Sequence, residues 1–380
     1  MNRVDKDSVT DAVNLDRGIG SEFWLPSSYL SERPNNHFYE ILPDGKKVFV
    51  TSGREAIYLI LNSIGISKDE KLLLPSYLCQ SILDPLIKKS VKFLFYKVKE
   101  NLEIDIYDIQ KRIDDKTKAI LIIHYFGFPQ PLLELKKLGK KLTIIEDTTH
   151  SFLSFVDGRS SGSIGDISFA SFRKMLPVPD GAMVCFNNKN ISIPRISNQD
   201  SMHLNYKERR ELGLYRRGAF INTGKKIHNK ISQNHFKSSE ELLQKIFIHP
   251  CKMSNDSEEL LKRLNIKDII NRRRKNFLFM LEENYNGMKP LYTDLPSGIC
   301  PLGFPILDDD REALKGHLIK NRIYPPIHWN LPSSISKKHY KTAWDISNKI
   351  LTIPIDQRYN HLHMEYITRI LNEIIKGDLV

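Results

Sequence analysis

The stretch SFASFRKMLPVPDGAMVCF, residues 168 to 186, places Ser171 and Lys174 at the end of an apolar run and then stiffens the next turn with Pro177 and Pro179. A lysine attacks carbonyl carbon, or takes a proton, only as the free amine. With an ordinary pKa of about 10.4 it must be partly desolvated beside other cations to do either near neutrality. Arg173 is one such cation. The Ser171-x-x-Lys174 spacing alone says little, because Ser334 and Lys337 repeat it, and an ordinary loop with a solvated lysine is the plain alternative. Other reactive side chains follow apolar runs in the same way: Ser52 and Gly53 after VFVT, His124 after AILII, and Glu146 and Asp147 after LTII, with His150 close behind.

The elements around these residues explain why they belong together. From about residue 47 to 186 short apolar runs alternate with helical stretches. KVFVTSG, KLLLPS, VKFLFYKV, KAILIIHYFG and LTIIED read as strands, the last two covered on both faces; REAIYLILNSIG and residues near 78 to 89 read as helices. Such alternation predicts crossover units and a parallel sheet. In open sheets of this kind ligands sit beyond the carboxyl ends of the strands, so Ser52, Gly53, His124, Glu146, Asp147, Ser171 and Lys174 are expected to meet in one crevice. After residue 186 a long basic helical region runs to about 290, and from about 296 the pattern becomes α+β. The expected division is an N-terminal arm over 1–44, a large domain over 45–250 and a small C-terminal domain over 251–380.

An aldehyde cofactor anchored by phosphate asks for four groups: a lysine for the Schiff base, a carboxylate to keep its ring nitrogen protonated, donors for the phosphate, and a residue near its phenolic oxygen. All four types are present. In order along the chain, SGREAI (52–57), LPSYL (74–78), HYFG (124–127), EDTTH (146–150), GSIGDISFASFRK (162–174) and PDGA (179–182) resemble the motifs of the DegT/StrS-type sugar aminotransferases. IYPPIHW (323–329) and LTIPIDQRY (351–359) are similar to later blocks of the same family. The resemblance implies a fold type I pyridoxal 5'-phosphate (PLP) enzyme of α/β class, with a mostly parallel sheet sandwiched by helices and a smaller α+β domain.

By that resemblance Lys174 carries the Schiff base and moves protons, Asp147 pairs with the ring nitrogen, and His150 faces the phenolic oxygen or the ring. The Ser171 hydroxyl and the backbone of Gly53 and Arg54 receive the phosphate at a helix start; the family more often has Thr at position 54. Cys79 occupies the usual aromatic position against the ring, yet Tyr77 is the chemically better platform and is preferred here. The alternatives are structural: Asp147 capping the next helix, and His150 as a satisfied core histidine. Two departures stand out. The lysine follows S-F by two residues fewer than in the commonest family version, and the acidic E-G-G becomes Asp180-Gly181-Ala182, which bears on substrate preference.

Composition narrows the partners. The chain has 57 Lys and Arg against 45 Asp and Glu, a net charge of +12 that suits an anionic partner such as a nucleotide-linked sugar. The basic runs YKERRELGLYRRGAF and NRRRKNF lie in no recognisable nucleic-acid module, and no run is long enough to span a bilayer, so neither nucleic acid nor membrane is expected. The four cysteines form no CxxC pair, and no metal site is expected. A cytoplasmic homodimer that moves an amino group from an amino acid, first of all glutamate, to a keto sugar in polysaccharide or glycoside biosynthesis is the reading the resemblance implies. The alternatives are a dehydratase-like enzyme of the same fold, a keto substrate without a nucleotide, and a non-catalytic sugar-binding relative.

Overall fold

The computed structural model describes residues 17–30, 33–138, 142–283, 285 and 288–374; residues 1–16 of the expected arm lie outside them. A seven-stranded sheet forms the centre. Its strands are β1 (Lys46–Val50), β2 (Lys71–Pro75), β3 (Lys92–Tyr96), β4 (Thr117–Ile123), β5 (Thr143–Asp147), β6 (Ile167–Ser171) and β7 (Ala182–Phe186). They are arranged β1-β7-β6-β5-β4-β2-β3. Every neighbouring pair is parallel except those made by β7, which runs antiparallel to both β1 and β6. The expected mostly parallel sheet is therefore present. Its central strands are rich in Ile and Leu because helices cover both faces.

Helix α1 (Gly53–Ser63) begins where β1 ends, and the Ser52 hydroxyl caps it by accepting the Glu55 N–H at 3.3 Å. Its first N–H groups thus stay at the carboxyl edge of the sheet. Helix α2 (Gln80–Lys88) follows β2. Helices α3 (Ile106–Arg112) and α4 (Leu132–Lys136) bury Ile109, Leu132 and Leu135 against the other face.

Directly after β6 the chain makes one 3-10 turn, Phe172–Lys174. The proline turn beyond it is pinned at two points, since Phe172 N–H donates to the Gly181 carbonyl at 3.1 Å and Gly181 N–H donates to Thr51 O at 2.8 Å. Gly181 has φ 126°, and a Cβ there would lie 2.6 Å from the Met253 sulfur, so only glycine suits the position. The rigid turn fastens the lysine segment to the loop that starts α1.

Two long helices, α5 (Ser201–Thr223) and α6 (Lys226–Ile246), form an antiparallel hairpin over the carboxyl edge. Helices α7 (Asn255–Arg263) and α8 (Ile266–Glu282) then lead to the small domain. Leu261, Leu264 and Ile269 still pack with Phe172 and Met175, whereas Phe277 and Met280 join the small-domain core. Between them the buried Arg273 donates to the carbonyls of Met175, Pro301 and Leu302 and to Gln357. The lysine turn is therefore tied to the small domain. That domain holds β8 (Lys289–Pro290), β9 (Phe304–Leu307) and β10 (Ile350–Ile353) as an antiparallel sheet, with α9 (Arg311–Lys320), α10 (Lys341–Lys349) and α11 (His361–Ile374). Ile19 and Gly20 of the arm pair with Ile323 and Tyr324. Among the described residues no helix is long and apolar enough to cross a membrane, and no cluster suits a metal ion.

Candidate active site

The start of α1 and the ends of β5 and β6 enclose a cavity of about 170 Å³. Ser52, Gly53, Arg54, Asp147, His150, Ser171 and Lys174 all line it, so these sequence-expected residues meet in one place. Asp147 ends β5 and Ser171 ends β6, while Lys174 is set by the 3-10 turn that follows.

Electrostatics sort these groups into roles. Lys174 as a residue is exposed, yet desolvation of its amine where it borders the cavity, and next the Arg173 charge, pull it below its ordinary value. Asp147 is 6% exposed; burial raises its carboxyl, and hydrogen bonds from Thr149 act the other way. The Thr149 N–H donates to its Oδ1 at 2.9 Å, and no lysine or arginine forms an ion pair with it among the described residues. A carboxylate buried in this state costs free energy that a cation in the cavity would return. His150 is held neutral by burial, then by His328 and Lys174, and its Nδ1 accepts the Phe126 N–H at 3.4 Å. Its ring lies 5.2 Å from that of Trp329 at an interplanar angle of 31°.

Three expectations change. His124 and Glu146 do not line the cavity. Side chains alternate across a strand, and because Ile123 and Asp147 face the cavity their neighbours face away. His124 Nε2 instead meets Glu146 Oε2 at 2.9 Å, while Glu146 Oε1 accepts the N–H groups of Ile164 and Gly165. This pair closes the opposite face of the sheet. The choice between Tyr77 and Cys79 also reverses. Tyr77 is fully buried away from the cavity lining, its hydroxyl donating to the His328 carbonyl and accepting the Trp329 N–H at 3.0 Å, while Cys79 lines the cavity. Tyr77 acts by holding Trp329, whose own ring lines the cavity.

The third change concerns the acidic turn. Asp180 is fully buried and accepts from Ser254 N at 3.0 Å, Ser254 Oγ at 2.6 Å, Gln199 Nε2 at 2.7 Å and the Ser257 hydroxyl. It anchors α7 to the proline turn.

The family model described as the DegT/DnrJ/EryC1/StrS aminotransferase family matches residues 25–202, the part of the chain that supplies every cavity residue named from sequence. That segment of the chain is similar to this family. A GDP-perosamine synthase of Escherichia coli O157:H7 is 29% identical over 178 residues, 44% of this chain and 49% of that protein. A GDP-perosamine synthase of Vibrio cholerae is 26% identical over 162 residues, 41% and 44% of the two chains. The chain spans about half the length of the curated relatives it matches. Solved structures extend the likeness in fold across nearly the whole molecule. The aminotransferase TlmJ of Streptoalloteichus hindustanus superposes with a TM-score of 0.67 at 19% identity, covering 92% of this chain and 93% of TlmJ. PseC of Helicobacter pylori, an aminotransferase involved in the biosynthesis of pseudoaminic acid, gives 0.67 at 17% identity, covering 94% and 98%. The fold is that of the type I aminotransferases.

Of the residues lining the cavity, Lys174, Asp147 and the helix start at Ser52–Arg54 were legible in sequence. Trp329, Thr149, Glu240 and Leu243 also line the cavity and were not singled out. IYPPIHW carried a signal for Trp329, because a tryptophan in a recognised block invites a role. Nothing in the basic run of α6 pointed to Glu240.

Proposed function

We propose that this protein is a PLP-dependent aminotransferase that moves an amino group from an amino acid, glutamate first, to a nucleotide-linked keto sugar. One observation carries the reading: an amine with a lowered pKa and a buried carboxylate that has no cationic partner among the described residues share a cavity at a helix start. These residues suit the cofactor. The N–H groups of Gly53 and Arg54, with the Ser171 hydroxyl, would take its phosphate, Lys174 Nζ its aldehyde end, and Asp147 its protonated ring nitrogen. Cys79 and His150 would lie along the ring.

When bound, PLP supplies the electron sink for carbanion chemistry. The chain's residues do the rest. Asp147, shielded from water, keeps a proton on the ring nitrogen. Lys174 Nζ, whose amine is lowered by desolvation and by the Arg173 charge, would take the proton from the donor's Cα in the first half-reaction and deliver a proton to the acceptor's carbon in the second. His150 remains neutral and orients the ring edge without adding positive charge. The GDP-perosamine synthase relatives and the net charge of +12 support a nucleotide sugar as acceptor. A cytoplasmic homodimer acting in polysaccharide or glycoside biosynthesis fits the same reading.

The test is the visible spectrum of purified protein with PLP, before and after glutamate. A coloured wild type that bleaches with the donor, beside a Lys174→Ala variant that does not, is the expected result. A variant reacting as fast as wild type would remove Lys174 from its role.

A further inference from the structure

Glu240, on α6, lines the cofactor cavity together with Gly53, Arg54, Ser171 and Arg173. Both Arg173 NH groups donate to it, NH2 to Oε2 at 3.3 Å, and Arg210 NH1 lies 4.0 Å from Oε1. Burial disfavours its charge, yet Arg173, and then Arg210 and Arg54, outweigh burial and hold the carboxyl down at about 2. An anion thus already sits among the cations beside the phosphate-type helix start. Its surroundings are rich in unused donors. Arg210 is 2% exposed and its Nε and NH1 make no hydrogen bond among the described residues, although NH2 reaches Glu22 at 3.1 Å. The buried Tyr206 hydroxyl beside them is also without a hydrogen-bond partner.

We propose that Glu240 is an internal stand-in for the cofactor's phosphate: the α5–α6 hairpin presents its carboxylate to Arg173, and a phosphorylated ligand must displace it, shifting α6, before Arg173 can turn to the ligand. This rests on the proposed cofactor reading. Its physical basis is competition between two anions for one guanidinium fork, where a dianion with three acceptor oxygens has more donors to satisfy than a carboxylate does. Among the described residues the hairpin's separate apolar cluster holds Tyr206, Leu243 and Ile246 with Leu242 beside them.

The experiment titrates wild type, Glu240→Gln and Glu240→Asp with PLP, with pyridoxal lacking the phosphate, and with inorganic phosphate. Aldehyde binding is read from visible absorbance, phosphate binding from the melting temperature, and hairpin motion from amide exchange over 226–246. Removing the competing charge is expected to tighten PLP about tenfold in Glu240→Gln, less in Glu240→Asp, and to leave pyridoxal unchanged. Inorganic phosphate should stabilise Glu240→Gln more than wild type, and PLP should speed exchange in wild-type α6. Equal or weaker PLP binding in Glu240→Gln, an equal gain for pyridoxal, or slower α6 exchange on loading would overturn the inference. If wild type took up neither aldehyde, the cofactor reading would fail instead, and the inorganic phosphate arm would still decide the role of Glu240.

Discussion

Three buried polar side chains on the sheet side and three in the α5–α6 hairpin are satisfied to different degrees. On the sheet side Asp180, His124 and Glu146 are all buried, and each is satisfied by hydrogen bonds from two or more directions. In the hairpin Arg210, Arg217 and Tyr206 are equally buried, but each has atoms without a partner. A satisfied buried network rigidifies its surroundings, whereas an unsatisfied one lowers the cost of leaving. The contrast fits a division of labour in which the sheet and proline turn fix Lys174 and Asp147 while the hairpin can be displaced.

That contrast can be broken at its strongest point first. Lys174→Ala should slow the reaction with the amino donor by about a thousandfold in single-turnover absorbance, since it removes the base and the anchoring amine together. Asp147→Asn should slow the same half-reaction by about a hundredfold while leaving the melting temperature near wild type, because the loss is electrostatic. A stability change without a rate change would make Asp147 a structural residue.

Stability experiments sharpen the comparison further. Asp180→Ala strips an acceptor from three side-chain donors and one backbone N–H, and should cost about 3 kcal/mol in urea unfolding. Arg210→Met in the hairpin should change stability by less than about 1 kcal/mol in the same assay, since the desolvation it relieves offsets the pairing it loses. Similar costs at the two sites would erase the distinction between the regions.

The smallest effect concerns pH. His203, on α5, lies between Glu55 Oε1 at 3.4 Å and Asp200 Oδ1 at 2.7 Å. Burial works against its charge, but the two carboxylates prevail and lift it to about 9, above its ordinary 6.5. A raised value means the folded state holds the proton more tightly. The contribution is therefore complete below about 6.5 and fades as pH rises through about 9. Amide protection factors at the start of α5, corrected for base-catalysed intrinsic exchange, should fall between pH 7 and 10 in wild type, and His203→Gln should flatten that fall. An unchanged slope in the variant would assign the loosening to another group.

How much of this was legible in the sequence varies with the range of the interaction involved. The strands and α1 followed from local apolar patterning and from Ser52 before a helical run, and the lysine, the carboxylate and the phosphate loop stood in motif order. The pleat was harder. His124 and Glu146 occupy strand-end positions like Asp147, but one step along a strand reverses the face. Tyr77 was preferred over Cys79 on chemical type alone, and the decision fell to a contact with Trp329, more than two hundred residues away. The bonding of Asp180 to Ser254 and Ser257 was not legible either, because those partners carry no sequence mark of their own.

By itself the sequence determined the strand and helix order, the lysine turn and which residues we propose hold an aldehyde, a ring nitrogen and a phosphate. These depend on hydrogen bonding and burial among near neighbours in the chain. Only the tertiary structure decided which strand-end side chains face the cavity, that Trp329 reaches it, and that Glu240 rests on Arg173. Each of these is a meeting of distant segments, fixed by the packing of whole elements and invisible to any local rule.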